Sequence, residues 1–311
     1  MNLELVENIV SAVLYEGYLL YPYRPSAIKN RQRFNFGVIY PPGYGLANNE
    51  PRSMQTECLV AGDERTRIDA RVRFLHLLSR EDADGQQSWQ EAVEREVLMR
   101  WRCDESGVAR TTYQFPRDVK RDDGAVRRQE AVNGLVEISA EQAAARLFKL
   151  TARILNLTPV EAMPQSRDEA LLRSLVSAHT ILCVQGGEFV SLLDPPDEWR
   201  EAAAACHNVG TYPVLVGQEG ERDCLLSSPI ILYDYPQIAP ESAGDLFDGT
   251  EIDELLTLRI LTLTDEEKRE MRDSDERARR ILERSEALPA EQLMKMHGAL
   301  RSLRQAGGKR P

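Results

Sequence analysis

The fold of this protein is decided by residues 68–78, which read Ile68-Asp-Ala-Arg-Val-Arg-Phe-Leu-His-Leu-Leu78. Along this stretch every second side chain, beginning with Ile68, is apolar or a histidine, while the residues between them begin with Asp69 and Arg71. A period of two predicts a strand with one buried and one solvated face, which is typical of antiparallel sheets. The same period recurs near residues 93–101 and 148–154. The sequence therefore predicts an antiparallel β-sheet system.

The rest of the chain is organised around this sheet. The sequence predicts an α+β fold, in which a sheet core at about 34–158, with a sandwich as one arrangement, carries an N-terminal helix. This mixed region covers residues 1–235. Ser166 begins a capping box that predicts a helix over residues 166–180. Charge pattern and further capping sequences predict a helical C-terminal region over residues 236–311, ending in a disordered tail.

The composition argues against several classes of partner. The chain has 311 residues and a net charge of −11, from 39 basic and 50 acidic side chains. Such a charge disfavours general binding to nucleic acid or to anionic membranes. No window approaches the roughly 18 consecutive apolar residues that a membrane-spanning helix needs. Residues 1–16 contain no Lys or Arg, which is unlike a secretory signal.

The cysteines indicate the compartment. None of the five lies within four residues of another. They are Cys58, Cys103, Cys183, Cys206 and Cys224. An odd, dispersed set favours free thiols over a disulfide framework and fits a reducing environment. We therefore expect a cytoplasmic protein.

Motifs that would identify an enzyme are missing from the sequence. It contains no G-x-S-x-G, no phosphate-binding glycine loop, no H-x-x-x-H and no C-x-x-C. We therefore predict no catalytic residue, no cofactor and no metal ligand. Two alternatives stay open: a zinc or iron–sulfur site assembled from distant cysteines, and metal carriage by Cys206 and His207 with a distant thiol. His76 is interpreted as a hydrogen-bonded histidine near the core.

The most unusual composition lies between residues 15 and 44. This segment holds six of the ten tyrosines, four basic residues and one acid, Glu16. Tyr and Arg anchor interfaces well, because each buries a large area and keeps a polar end to satisfy. We therefore predict a solvent-facing surface that binds a protein partner, formed by Tyr18, Tyr21, Tyr23, Arg24, Lys29 and Arg33. The alternative is internal packing, in which the basic residues pair with Asp245, Asp248 or Glu251.

Two motifs of the chain are distinctive. The first motif, over residues 13–37, contains Val13-Leu-Tyr-Glu-Gly-Tyr-Leu-Leu-Tyr-Pro-Tyr-Arg-Pro-Ser26, Lys29-Asn-Arg31 and Phe34-Asn-Phe-Gly37. The second motif, over residues 227–268, contains Ser227-Ser-Pro-Ile-Ile-Leu-Tyr-Asp234, Pro240-Glu-Ser-Ala-Gly-Asp-Leu-Phe-Asp248, Glu251-Ile-Asp-Glu254 and Leu261-Thr-Leu-Thr-Asp-Glu-Glu-Lys268. Together they resemble a bacterial family encoded beside uptake [NiFe]-hydrogenases of the actinobacterial, high-affinity type.

This resemblance implies a cytoplasmic accessory protein in hydrogenase assembly or maturation. A chaperone-like protein needs a recognition surface and no nucleophile, so we expect a non-enzymatic role in which it binds a hydrogenase subunit or another maturation factor. The alternative is an enzyme or cofactor-handling protein with a cleft between the sheet and the C-terminal helices. That cleft would be lined by four carboxylates with Arg24 or Lys29. The four are Glu16, Asp234, Asp245 and Asp248.

Overall fold

The structure, a computed structural model, describes residues 3–15, 35–82, 88–102, 107–122, 125–160, 164, 166–237, 263–274, 279, 282–283 and 286. The described strands are β1 Ser53–Asp82, β2 Ser88–Arg102, β3 Ala109–Phe115, β4 Asp118–Asp122, β5 Ala125–Gln129, β6 Val132–Ala144, β7 Leu147–Asn156, β8 Val176–Val190, β9 Tyr212–Leu215 and β10 Cys224–Ser228. The described helices are α1 Leu3–Tyr15, α2 Pro42–Asn48, α3 Arg167–Leu171, α4 Arg200–Ala204 and α5 Asp265–Ser274, and a 3-10 turn at Asp197–Trp199 precedes α4.

Two compact units contain these elements. The first holds every described element from α1 to β10, and the second holds α5. In the second unit, Lys268 and Arg272 form ion pairs with Glu286 at 3.2 and 2.8 Å. The helical region predicted over residues 236–311 is not supported beyond α5, because most of it lies outside the described residues. None of the described helices has the length and apolar character that crossing a membrane requires.

One sheet of ten strands organises the first unit. Its strand order is β3-β6-β7-β1-β8-β10-β9, with β2 and β5 also paired to β1 and β4 paired to β5. The pairings among these strands are antiparallel. The prediction of a fold dominated by an antiparallel sheet is therefore confirmed. The sheet extends past residue 158, because β8, β9 and β10 join it.

The strand β1 is 30 residues long and joins two groups of strands. Its residues 53–61 pair with β7, and its residues 67–81 pair with β2. β8 pairs with residues 59–62 and 67–75, across an irregularity in register. The stretch from which the fold was predicted therefore lies in the half of β1 that β2 and β8 enclose.

The sheet curls, so that strands far apart in strand order meet over the core. Neighbouring strands lie about 4.8 Å apart, and β7 and β6 separate β1 from β3. A flat sheet would therefore hold β1 and β3 about 14 Å apart. Instead, the ring of Phe74 on β1 lies 5.9 Å from the ring of Tyr113 and 5.8 Å from that of Phe115, both on β3. The inward side chains of both strand groups share one apolar core.

The helix α1 covers part of the other face of the sheet. It presents apolar residues at helical spacing, which is the pattern of an amphipathic helix on a core. These residues are Val6, Ile9, Val10 and Val13, and they form one buried cluster with Ile181, Val214, Val216, Cys224 and Leu226. Glu7 on the same helix accepts hydrogen bonds from Arg71 at 2.7 Å and from Arg73 at 2.9 Å. The predicted N-terminal helix is therefore present and is docked on the sheet.

The prediction of a helix over residues 166–180 is right at its start and wrong at its end. Ser166 caps α3, where its Oγ accepts a hydrogen bond from Glu169 N at 3.2 Å. The helix ends at Leu171, and β8 begins at Val176. The first seven residues of β8 are all buried, because the strand lies inside the sheet with both faces covered. A strand of this kind does not alternate, and its apolar run resembles that of a buried helix.

The structure overturns the expectation that the cysteines are all free thiols. Cys183 on β8 and Cys224 on β10 form a disulfide. They lie directly opposite each other in the antiparallel register, with Cα atoms 4.4 Å apart. Facing positions on paired strands bring two Cβ atoms within reach of a disulfide, although 41 residues separate these cysteines in sequence. Cys58 and Cys206 are free.

Candidate functional site

Most of the residues predicted to form a site lie outside the described residues. This holds for the partner-binding set of Tyr18, Tyr21, Tyr23, Arg24, Lys29 and Arg33, and for Glu16, Asp245 and Asp248 of the alternative cleft. Asp234, the fourth cleft residue, is described. Its two carboxylate oxygens accept hydrogen bonds from Ser191 Oγ at 2.5 Å and from Leu215 N at 2.8 Å. Asp234 therefore ties the chain after β8 to β9.

The candidate metal carriers Cys206 and His207 follow α4. His207 N donates a hydrogen bond to the carboxylate of Glu57 at 2.8 Å, and Cys206 Sγ donates to Ala202 O at 3.6 Å. Burial raises the pKa of Cys206 to about 11, and the charge of Glu57 adds to this effect. The thiol is therefore protonated at neutral pH. Within the described ranges, no group of three or more His, Cys, Asp or Glu side chains is arranged to hold a metal ion.

The two motifs that carry the family resemblance meet in the structure. Gly37 of the first motif lies so close to Pro229 of the second that an added Cβ would stand 2.6 Å from Pro229 Cγ. The start of β8 holds the first motif in place. Ser177 N donates a hydrogen bond to Phe36 O at 2.9 Å, and Ala178 N donates to Gly37 O at 3.1 Å. Residues distant in sequence thus form one local structure.

The backbone at this contact takes a conformation that few residues adopt. Gly37 has a φ of +51° and Ser177 a φ of +52°. Glycine populates this region freely, whereas an L-residue such as serine pays on the order of 1 kcal/mol. The buried Ser177 donates a hydrogen bond from its Oγ to Val13 O, at the start of the first motif, at 3.4 Å. Two hydrogen bonds to the first motif, to Phe36 O and to Val13 O, therefore hold Ser177 in its strained conformation.

Large apolar side chains flank the contact between the motifs on the solvent side. Along the second motif, Ile230 and Leu232 pack against the cluster beneath α1. The side chains of Ile231 and Tyr233 alternate with them and are 74% and 85% exposed. Phe36, beside Gly37, is 37% exposed. We call these three exposed side chains, Phe36, Ile231 and Tyr233, the junction surface.

A second group of side chains lies inside the curl of the sheet, and we call it the Phe115 cluster. The ring of Phe115 lies close to residues from three strands. Its centroid is 5.8 Å from that of Phe74, 5.9 Å from that of Tyr113 and 6.3 Å from that of His76. The guanidinium carbon of Arg95 on β2 stands 4.8 Å from the same centroid. This distance is that of a cation–π contact.

Several polar atoms of the Phe115 cluster lack hydrogen-bond partners among the described residues. In the described part of the chain no group bonds either ring nitrogen of His76, the hydroxyl of Tyr113 or Nε of Arg95. The backbone carbonyls of Glu130 and Leu172 lie near His76 but outside hydrogen-bond geometry. Burial, followed by the charge of Arg95, lowers the pKa of His76 to about 4. Burial also raises the pKa of Tyr113 and lowers that of Arg95.

The sequence interpretation of His76 is correct in part. The residue is fully buried on β1, as predicted, but neither ring nitrogen makes the expected hydrogen bond among the described residues. Its neighbours Arg95 and Phe115 were not predicted from the sequence. A signal for Arg95 was present, because it has the same strand parity as Val97 and therefore places a charge on the apolar face of β2.

Comparison with known proteins adds no assignment. No protein-family model matches the chain, and a search among curated proteins returns no match.

Proposed function

We propose that this protein is a cytoplasmic, non-enzymatic accessory protein that binds a client subunit or a maturation partner in [NiFe]-hydrogenase assembly. The resemblance of the two motifs to a hydrogenase-associated family suggests this context. The observation that supports a docking role is the exposure of Ile231 and Tyr233 within the second motif, at 74% and 85%. The junction surface is, in this proposal, part of the docking face.

The alternation of the second motif separates structural from docking side chains. Ile230 and Leu232 fill the space beneath α1, so their apolar character serves the fold. Ile231 and Tyr233 bury little area in the folded chain, and their apolar character is better explained by a partner. A tyrosine beside an aliphatic residue gives a large contact area with one polar end, as the centre of an interface requires.

Two predictions concern residues outside the described ranges: the partner-binding residues of the first motif and the helical C-terminal region. Tyr18, Tyr21, Tyr23, Arg24, Lys29 and Arg33 stay proposed as residues that bind a protein partner. A helical C-terminal region follows the second motif. Within the first unit, Gly37 and Pro229 are in close contact, so both motifs contribute residues next to the junction surface.

The test is a binding experiment on the junction surface. The double variant Ile231→Asp with Tyr233→Asp is compared with wild type for capture of purified hydrogenase large and small subunits. We expect at least about a tenfold loss of capture, because charges would replace two apolar anchors. Leu193→Asp is the control, since Leu193 is also exposed, at 56%, and lies in neither motif. Capture that is equal for wild type and the double variant would remove the docking face.

A second experiment tests the biological context. Deletion of the gene from a host that carries the hydrogenase is expected to lower hydrogenase activity and to leave the large subunit unprocessed. Restoration by the wild-type gene, but not by the double variant, would link the phenotype to the junction surface. Normal activity with complete processing in the deletion strain would remove the assembly role.

A further inference from the structure

The interior of the curled sheet changes from apolar to polar along its strands. The inward face of β2 carries Val97, Met99 and Trp101 towards one end, all of them buried. Towards the other end the same face carries two charged residues, Arg95 and Glu91, with Val93 between them. The aromatic rings of the Phe115 cluster lie between these two ends. An amphipathic interior of this kind suits a ligand with one charged end, which side chains at the polar end would hold.

Arg95 is a cation without an anion among the described residues. Its Nη2 donates a hydrogen bond to Gln129 Oε1 at 2.5 Å, but an amide carries no charge. Gln129 Nε2 in turn donates to Pro116 O at 2.6 Å, which holds the amide oxygen towards Arg95. No described carboxylate lies within ion-pair distance of this guanidinium. A partly buried cation with a neutral partner attracts an anion.

Two acidic residues of this part of the sheet, Glu91 and Glu130, are already paired with other arginines. Arg80 and Arg127 both bind the carboxylate of Glu91, at 2.5 and 2.8 Å. Arg173 binds Glu130 at 3.1 Å. Neither Glu91 nor Glu130 therefore forms an ion pair with Arg95.

We propose that the Phe115 cluster is a binding site for a small organic anion with an apolar body, such as a medium-chain or aromatic carboxylate, whose charged end is held by Arg95. Arg95 Nε and the Tyr113 hydroxyl supply hydrogen-bond donors without partners in the described residues, and His76 supplies a further nitrogen. The rings of Phe74 and Phe115 supply the apolar wall. This site is independent of the junction surface.

The chemistry of the cluster selects among ligand classes. A cationic ligand would meet the like charge of Arg95. A bare inorganic anion would lose its hydration against aromatic rings and regain few contacts. A carboxylate with an apolar body satisfies both parts of the cluster, because the guanidinium bonds its oxygens and the rings cover its carbon chain.

Calorimetric titration of the full-length protein tests the site. The probes are octanoate, octanol as its uncharged match, and inorganic phosphate as a bare anion. We expect octanoate to bind, and octanol and phosphate to bind at least about tenfold more weakly. Arg95→Met is expected to weaken octanoate binding by about tenfold to a hundredfold, the range for a lost charge-assisted hydrogen bond. Tyr113→Phe keeps the ring and is expected to weaken binding by a smaller factor.

The control variant is Arg110→Met on β3. Arg110 is exposed and pairs with Glu137 at 2.7 Å, away from the interior of the curl. It should leave octanoate binding unchanged. Octanoate binding that survives Arg95→Met would overturn the proposal, and so would phosphate binding as tightly as octanoate.

A measurement on the wild-type chain avoids variants that fail to fold. The sequence has four histidines, so nitrogen-15 spectra of their rings are simple to assign. Octanoate should shift the resonances of His76 and leave those of the exposed His207 in place. An unchanged His76 at saturating octanoate, or no heat on titration, would show that the cluster is not the site.

Discussion

Gly37 and Pro229 are in such close contact that the protein has no room for a side chain at position 37. A Cβ at Gly37 would stand 2.6 Å from Pro229 Cγ and 3.3 Å from Ala178 O. The φ of +51° at Gly37 adds a conformational requirement to this steric one. Position 37 therefore needs glycine for two independent reasons.

We expect Gly37→Ala to destabilise the protein by about 3 kcal/mol, from backbone strain and overpacking together. Gly210→Ala separates the two terms, because Gly210 has a φ of +71° and nothing within 4 Å of an added Cβ. The free energy of unfolding of this control variant should fall by only about 1 kcal/mol, because the substitution adds backbone strain alone. Urea unfolding of both variants measures the difference. If the two variants lose equal free energy of unfolding, Pro229 moves away to accommodate the added methyl group, and the contact between Gly37 and Pro229 is not tight.

Two histidines that are buried in the described part of the chain, His76 and His179, make the folded state sensitive to acid. Burial lowers the pKa of His76 and of His179 to about 4, from an ordinary value of 6.5. As the pH falls below 6.5, the unfolded state takes up these protons first. The contribution of the two neutral histidines to the free energy of unfolding is therefore complete above pH 6.5, and it is lost as the pH falls towards 4. Each histidine accounts for a loss on the order of 3 kcal/mol.

Urea unfolding between about pH 7 and about pH 4.5 checks this dependence. The histidines contribute to the slope of the free energy of unfolding against pH. His76→Gln and His179→Gln should each remove roughly half of that contribution. His207→Gln changes an exposed side chain and should leave the slope as in wild type. A slope that both buried variants retain would place its origin in other groups.

The disulfide between Cys183 and Cys224 should respond to reductant. Because it closes a segment of 41 residues in the unfolded chain, reduction is expected to lower the free energy of unfolding by about 2–4 kcal/mol. Urea unfolding with and without dithiothreitol measures this loss. The double variant Cys183→Ser with Cys224→Ser should not respond, whereas Cys206→Ser should respond as wild type does. A wild-type protein indifferent to dithiothreitol would contradict the pairing.

Three buried hydroxyl groups form a chain between β1 and β10. Ser227 Oγ lies 2.7 Å from Thr56 Oγ1 and 2.7 Å from Thr211 Oγ1. Ser227→Ala should lower the free energy of unfolding by about 2 kcal/mol, because it removes a hydrogen-bond partner from two buried groups. Ser139→Ala, at a half-buried position, should change it by less than about 0.5 kcal/mol. If adding Thr56→Val to Ser227→Ala restores the free energy of unfolding, this account is supported. If Ser227→Ala and Ser139→Ala lower the free energy of unfolding by similar amounts, the account is contradicted.

Alternation of side chains was sufficient to predict the strands that keep one solvated face. Around residues 93–101 and 148–154 the apolar side chains face the core and the residues between them are more exposed, as expected. In residues 68–78 the apolar series is buried as predicted, but the predicted solvated face is wrong for residues 72–78, because both faces are buried there. The same rule failed for β8, because burial on both faces leaves no polar side chains to show a period. The capping-box sequence that begins at Ser166 correctly predicted the start of α3. It contains no information about the residue at which the helix ends, and that end was predicted wrongly.

The candidate sites depend on contacts that no local pattern contains. Gly37 meets Pro229, and Phe74 meets Phe115, only because the sheet curls and β8 holds both motifs. The disulfide shows the same limit, since its two cysteines are facing residues of paired strands. Composition did identify residues 15–44 as unusual, but the partner-binding residues proposed there lie outside the described ranges.

The length of β1 has a consequence for protein synthesis. This strand is complete at Asp82, yet its partner β8 ends at Val190. At a translation rate of about 5–20 residues per second, the gap corresponds to on the order of ten seconds. During that interval the nascent chain displays an apolar strand with an open edge, which other chains can pair with. Cotranslational chaperones should therefore determine the yield of this protein, and slower translation past residue 82 should increase its dependence on them.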